Sequence, residues 1–144
     1  MRDPEPLDAE TFRALFTATP LDAAAIDRVA PYYTDDVVFI DPIQTVRGRD
    51  AFLEMNKRLI ARSKEIRFDV HEVTLAGDNL FATWTMHLRM KGPAPAMRVE
   101  GVTHASLRDG RVARHRDYWD LLGSTMASIP FVGVAYKALV AKLG

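Results

Sequence analysis

Residues 97–120 read MRVEGVTHASLRDGRVARHRDYWD, two runs of alternating character separated by Asp109-Gly110. An Asp-Gly pair between alternating runs is a strong signal for a β-hairpin, because both residues tolerate the positive φ of a tight turn. In the first run Val99, Gly101, Thr103, Ala105 and Leu107 alternate with Glu100, Val102, His104 and Ser106. In the second, Arg114 and Arg116 belong outside, which sends His115, Asp117 and Trp119 inward. A two-residue loop would pair Leu107 with Val112 and carry both arginines onto the core face, where unpaired charge is costly. Parity therefore favours a three-residue loop, Arg108-Asp109-Gly110, that sets Leu107 opposite Arg111, Thr103 opposite His115 and Gly101 opposite Asp117. In that register Gly101 leaves open volume beside Asp117.

Upstream, residues 66–76 and 80–90 continue the β pattern, with Gly77-Asp78-Asn79 and the Lys91 to Ala96 segment as turns. The even positions Leu80, Ala82, Trp84, Met86, Leu88 and Met90 are apolar, so they share the core face. Pairing Met90 with Met97 puts Trp84 beside Thr103 and Met86 beside Gly101. Before this four-strand meander, the spacing predicts a helix over about 8–19 capped by Asp8 and ended by Pro20. A second helix follows, capped by Asp22 and shortened by Pro31. Val37 to Ile40 read as a short strand ending at Asp41-Pro42. After Gly48 comes a third helix with Phe52, Met55, Asn56, Leu59 and Ile60 facing inward. Residues 134–143 form an amphipathic helix after a Pro130-Gly133 break, expected to cover the cone or its partner, with docking on a membrane surface as the alternative. The fold class is α+β: a cone of three N-terminal helices on a curved antiparallel sheet, plus a C-terminal helical extension over about 121–144, all in one domain.

Composition narrows the function classes. The chain has 144 residues, 48% hydrophobic and 26% charged, which suits a globular domain rather than a disordered or fibrous one. It holds no cysteine, so no disulfide framework is possible. Lys+Arg 19 balance Asp+Glu 19, leaving no whole-domain basic field for nucleic acid. The charge is uneven, with seven bases and three acids over 47–67, which reads as a solvated helix face. The acidic, proline-bearing start lacks the form of an export signal, and no apolar run is long enough to span a bilayer. The expectation is a soluble cytoplasmic protein. The four histidines show no metal-ligand spacing and the glycines form no phosphate loop, so no metal and no cofactor is implied.

The runs Tyr33-Thr-Asp-Asp-Val-Val-Phe-Ile-Asp41-Pro42, Gly48-Arg49-Asp50, Asp109-Gly110-Arg111-Val112 and His115-Arg-Asp-Tyr-Trp119 resemble the SnoaL-like branch of the nuclear transport factor 2-like superfamily. That resemblance implies the cone fold around a pocket, in a superfamily that includes isomerases, cyclases, dehydratases, epoxide hydrolases and proteins that only bind. It places Asp41 at the general-base position of ketosteroid isomerases and Tyr33 and Asn56 at polar pocket positions. The tyrosine and protonated aspartate that stabilise the enolate there correspond to Phe16 or Thr17, and to Thr103. The run Arg116-Asp117-Tyr118-Trp119-Asp120-Leu121 is similar to limonene epoxide hydrolases, in which the aspartate matching Asp117 belongs to an Asp-Arg-Asp set. The other two positions here are Trp84 and Met86.

The leading expectation is a small-molecule enzyme of the isomerase, cyclase or hydrolase type, with Asp41, Asp117 and His115 as catalytic groups. Tyr33, Asn56, Trp84, Met86, Thr103 and Trp119 would line the site of an apolar small-molecule ligand. The competing expectation is a non-catalytic binding or accessory protein of the same fold. A homodimer is expected through the outer sheet face, where Val102, Val112 and Tyr118 would lie among His87, Glu100, Arg114 and Arg116.

Overall fold

In the computed structural model residues 4–125 and 132–143 are described. Helix α1 (Ala9–Phe16) starts where the Asp8 carboxylate accepts the Thr11 amide at 2.7 Å, and α2 (Ala23–Asp27) where Asp22 accepts that of Ala25 at 2.9 Å. Pro31 falls in a turn of 3₁₀ helix, Ala30–Tyr32, which leads into β1 (Tyr33–Ile40). A short β2 (Thr45–Arg47) follows, and Gly48, at φ 92°, turns the chain into α3 (Arg49–Arg62). The long strands β3 (Ser63–Ala76), β4 (Asn79–Met90), β5 (Met97–Arg108) and β6 (Arg111–Trp119) then run as an antiparallel meander, followed by α4 (Leu121–Thr125) and α5 (Val132–Leu143).

The six strands form one curved sheet in the order β2-β1-β6-β5-β4-β3. It is antiparallel except where β1 lies parallel to β6, with Phe39 beside His115. This pairing, which alternation within single strands cannot reveal, brings the end of β1 next to the inward groups of β6. Strand β3 breaks register with β4 between Val70 and Val73, and there the Arg13 guanidinium donates to the Val70 carbonyl at 2.5 Å and the His71 carbonyl at 2.8 Å. That contact holds α1 across the concave face, with Phe12 and Phe16 turned toward the sheet.

Two expectations of register are corrected. The loop after β5 is the two-residue one: Asp109 and Gly110 have φ of 53° and 78°, Arg108 pairs with Arg111 and Leu107 with Val112. Arg114 and Arg116 nevertheless stay off the core face, because Ala113 is an extra residue between the Leu107–Val112 and Ser106–Arg114 pairs. The bulge exchanges faces, so Val112 and His115 are both buried although three positions apart. Ala105 therefore faces His115, Thr103 faces Asp117 and Gly101 faces Trp119. On the other side Leu88 pairs with Met97 and Trp84 with Gly101. Val112 accordingly belongs to the core and not to the outer face.

In the tail, Val134, Leu139, Val140 and Leu143 of α5 are exposed, α5 packs against α4, and none of its described residues lines the cavity. The Pro130 break lies outside the described residues. No described helix is long and apolar enough to cross a membrane.

Gly101 is the glycine that this packing requires. The Trp84 ring lies directly over it, filling the volume expected to be open, and a Cβ there would overlap the ring. Gly101→Ala should therefore cost about 1–3 kcal/mol through overpacking. Urea unfolding checks the cost, and tryptophan fluorescence should report a displaced Trp84; a variant unchanged in both would contradict the contact.

Candidate functional site

Between the sheet, α1 and α3 lies a cavity of about 470 Å³. Its walls are mainly apolar, from Phe12 and Phe16 on α1, Phe39 on β1, Met55 and Leu59 on α3, and Val70, Trp84, Met86 and Val99 on the strands. Such a lining follows from alternation on strongly curved strands: inward side chains near the convergent end close into a core, whereas those near the open end do not meet. Leu80, Ala82, Ala105 and Val112 form the closed part.

A polar chain crosses this apolar wall. The Tyr33 hydroxyl lies 2.8 Å from His115 Nδ1, and His115 Nε2 lies 2.8 Å from Asp117 Oδ1. The same Asp117 oxygen accepts the Thr103 hydroxyl at 2.6 Å, and Trp84 Nε1–H donates to Thr103 Oγ1 at 2.9 Å. Donor counting fixes the bonds among Trp84, Thr103 and Asp117, and for a neutral imidazole it fixes those of His115 as well. The indole nitrogen can only donate, so Thr103 spends its single proton on Asp117. With the carboxylate as acceptor, His115 carries its proton on Nε2, and Nδ1 takes the Tyr33 hydrogen. Three protein donors thus converge, directly or through His115, on one carboxylate oxygen.

The order of burial matters for access. Tyr33 is fully buried, and the His115 side chain is 5% exposed against 18% for Asp117. His115 is packed among Phe16, Tyr33, Phe39 and Phe52, with ring centroids 5.2–6.5 Å away. Asp117 is therefore the member of the chain that reaches furthest into the cavity, and its Oδ2 makes no hydrogen bond among the described residues. Tyr33, expected against the ligand, stands behind His115 and does not line the cavity.

Asp41 sits at the end of β1, where its Oδ1 accepts the amides of Ile43 at 2.8 Å and Gln44 at 2.9 Å. It closes the turn into β2 while also lining the cavity. The Asn56 amide donates back to the Phe52 carbonyl at 2.9 Å, and the residue lines the cavity, as do Trp84, Met86, Thr103 and Trp119. The two arginines of the lining, Arg58 and Arg62, escaped sequence reasoning. They flank Leu59 on the same stripe of α3, and their spacing was the available signal. Among the described residues no cluster of three histidine or carboxylate side chains is placed to hold a metal ion.

The SnoaL-like domain pattern matches residues 10–115, most of the chain. The chain belongs to the SnoaL-like domain family. No curated protein matches it significantly. Among solved structures, this SnoaL-like chain is similar to a protein from Jannaschia sp. CCS1 described as a SnoaL-like polyketide cyclase, at 25% identity and a TM-score of 0.72, covering 91% of this chain and 99% of that one. It shares its fold with an LEH-like epoxide hydrolase of M. tuberculosis (20% identity, TM-score 0.65, covering 92% and 98%). It shares it too with a protein of ketosteroid isomerase-like fold from Catenulispora acidiphila DSM 44928, solved with trimethylamine (19% identity, TM-score 0.67, covering 81% and 87%).

Burial, with the Asp117 charge adding to it, raises the Tyr33 phenol well above its ordinary value of 10.0. In the unfolded chain the phenol ionises near that value while the folded chain keeps its proton. Above about pH 10 the unfolded state therefore binds fewer protons, and stability falls as pH rises. Near neutral pH, Tyr33→Phe should cost about 1–3 kcal/mol by leaving His115 Nδ1 unpaired. That gap should narrow by up to about 1.4 kcal/mol per pH unit once the unfolded phenol ionises. Urea unfolding of both proteins from neutral to strongly alkaline pH measures it; a gap independent of pH would contradict the buried, protonated phenol.

Proposed function

We propose that this SnoaL-like protein is a general acid–base enzyme acting on an apolar small molecule, with Asp117 as the group that exchanges a proton with the substrate. The observation that carries the proposal is a carboxylate set in an apolar cavity with one oxygen saturated by His115 and Thr103 and the other free to face a ligand. Asp117 Oδ2 would take a proton from a carbon acid or from a water held against the substrate, and return it to another atom of the same molecule. His115 and Tyr33 act as positioning residues: they fix the carboxylate and hold one tautomer. Trp84, Met86 and Trp119 would hold the apolar body, and Asn56 would contact it from α3.

Asp41 has the smaller part in this proposal. Its Oδ1 is committed to two backbone amides, so it shapes the mouth through the β1–β2 turn. The similarity to a cyclase and an epoxide hydrolase supports the catalytic kind of reaction; the substrate comes from the cavity alone.

Incubation with a pool of apolar ketones, enones and epoxides in deuterated water, read by mass spectrometry, registers both carbon deprotonation and water addition. Wild-type protein should change the mass of at least one member. Asp117→Asn should slow that change by about 10²–10⁴-fold, while Asp41→Asn, which keeps an oxygen acceptor for the turn, should leave the rate within about threefold. Undiminished turnover by Asp117→Asn would overturn the assignment. Members that bind without changing mass would replace it with the binding-protein reading.

The outer face of the sheet also supports a proposal of self-association. Phe81, Val102 and Tyr118 are exposed there, with Phe81 stacked on His104 and Arg116 over the Tyr118 ring. Light scattering at tens of micromolar protein should give a dimer mass, and Val102→Asp should convert it to monomer. A monomeric wild type would refute the interface.

A further inference from the structure

Helix α3 carries basic side chains with two different fates. Arg49 pairs with Asp35 at 2.7 Å and Lys57 with Asp27 at 2.6 Å, so those charges are answered within the chain. Arg58 and Arg62, one helical turn apart, instead line the cavity and are exposed, and neither guanidinium has a hydrogen bond or ion pair among the described residues. At i and i+4 their Cβ atoms lie roughly 5–6 Å apart on one face. Asp41 and Gln44 line the same cavity. The Asp41 carboxylate is within ion-pair distance of neither arginine, and it is held by backbone amides.

Nothing in the packing of the cone requires two cations at the mouth of an apolar cavity. A guanidinium is a planar fork whose donors match an oxyanion in two-point contact, and two forks a turn apart can grip one carboxylate from both sides. We propose that Arg58 and Arg62 form an anion clamp, and that the natural ligand is an apolar molecule ending in a carboxylate or similar oxyanion. The head is held at the mouth by α3, and the apolar body enters between Leu59, Met86 and Trp119 toward Asp117. The clamp rests on the reading of the cavity as a ligand site. It adds what that site selects and which end of the ligand enters first. It also separates charges usefully, since the anionic head stays at the rim and an uncharged part of the ligand meets the Asp117 carboxylate.

The probes are decanoate and decanamide, of equal length and differing in charge, titrated into the full chain by calorimetry. Wild-type protein should bind decanoate about tenfold more tightly than decanamide, a modest ratio because the arginines are exposed, and the ratio should shrink with added salt. In the Arg58→Gln/Arg62→Gln double variant the preference should vanish while decanamide binds as before, which shows that the fold and cavity are intact. Each single variant should lose part of it, and these decide the matter if the double variant does not fold. Equal affinities in the wild type, a preference that survives both substitutions, or no binding of either probe would overturn the clamp. Asp117→Asn should keep the preference in full, so a lost clamp with intact turnover and a lost turnover with an intact clamp are separate results.

Discussion

Ala113 has no partner on β5, and the arrangement of the whole inner wall depends on that extra residue. A strand with strict alternation from Val112 would turn Arg114 and Arg116 into a largely apolar cavity, where burying two guanidinium charges is costly. The bulge advances the chain by one residue, so Val112 stays in the closed core while His115, Asp117 and Trp119 become the inward set. The same step sets Thr103 opposite Asp117 and Trp84 over Gly101, which is what lets the indole, the hydroxyl and the carboxylate meet. One local backbone device therefore places both the packing and the polar chain.

A buried polar chain is costly unless each member is satisfied. Here the cost is offset in sequence: indole to hydroxyl, hydroxyl to carboxylate, imidazole to carboxylate, phenol to imidazole. Among the described residues only the outermost member keeps an oxygen without a partner, and that member lines the cavity. The geometry separates a rigid, saturated inner end from a reactive outer end. Its rigidity comes from strands, since Tyr33, Thr103, His115 and Asp117 all stand on β1, β5 and β6. The opposite wall is helical, with long exposed side chains at Arg58 and Arg62, and that is where ligand selection is proposed.

Much of this could be read from residue order. Alternation over 80–90 and 97–108 located β4 and β5 and their inner faces, caps at Asp8 and Asp22 located α1 and α2, and the arginines of β6 dictated which of its residues point inward. The register could not be read in the same way. Parity can be restored either by a longer loop or by a bulge, and the two differ by two residues in every cross-strand pair beyond Ala113; only the φ values at Asp109 and Gly110 and the extra Ala113 distinguish them. Tyr33 was legible as a polar residue near the site, but its place behind His115 depends on β1 lying parallel to β6, a long-range pairing without a local signature. Arg58 and Arg62 were absorbed into a charged helix face, because a solvated arginine and a cavity-mouth arginine look alike until the cavity is seen. The tail helix was legible as amphipathic, whereas amphipathicity alone does not say against what it packs.

The central claim is that Tyr33, His115 and Asp117 form one directed hydrogen-bond chain ending at the cavity. Heteronuclear NMR of the His115 ring tests it most directly, because the protonation of each ring nitrogen is visible separately. The account predicts a proton on Nε2 and none on Nδ1, with the Nε2 proton protected from exchange and its resonance displaced in Asp117→Asn. A proton on Nδ1 alone, or a ring that exchanges freely and ignores the Asp117 substitution, would contradict it.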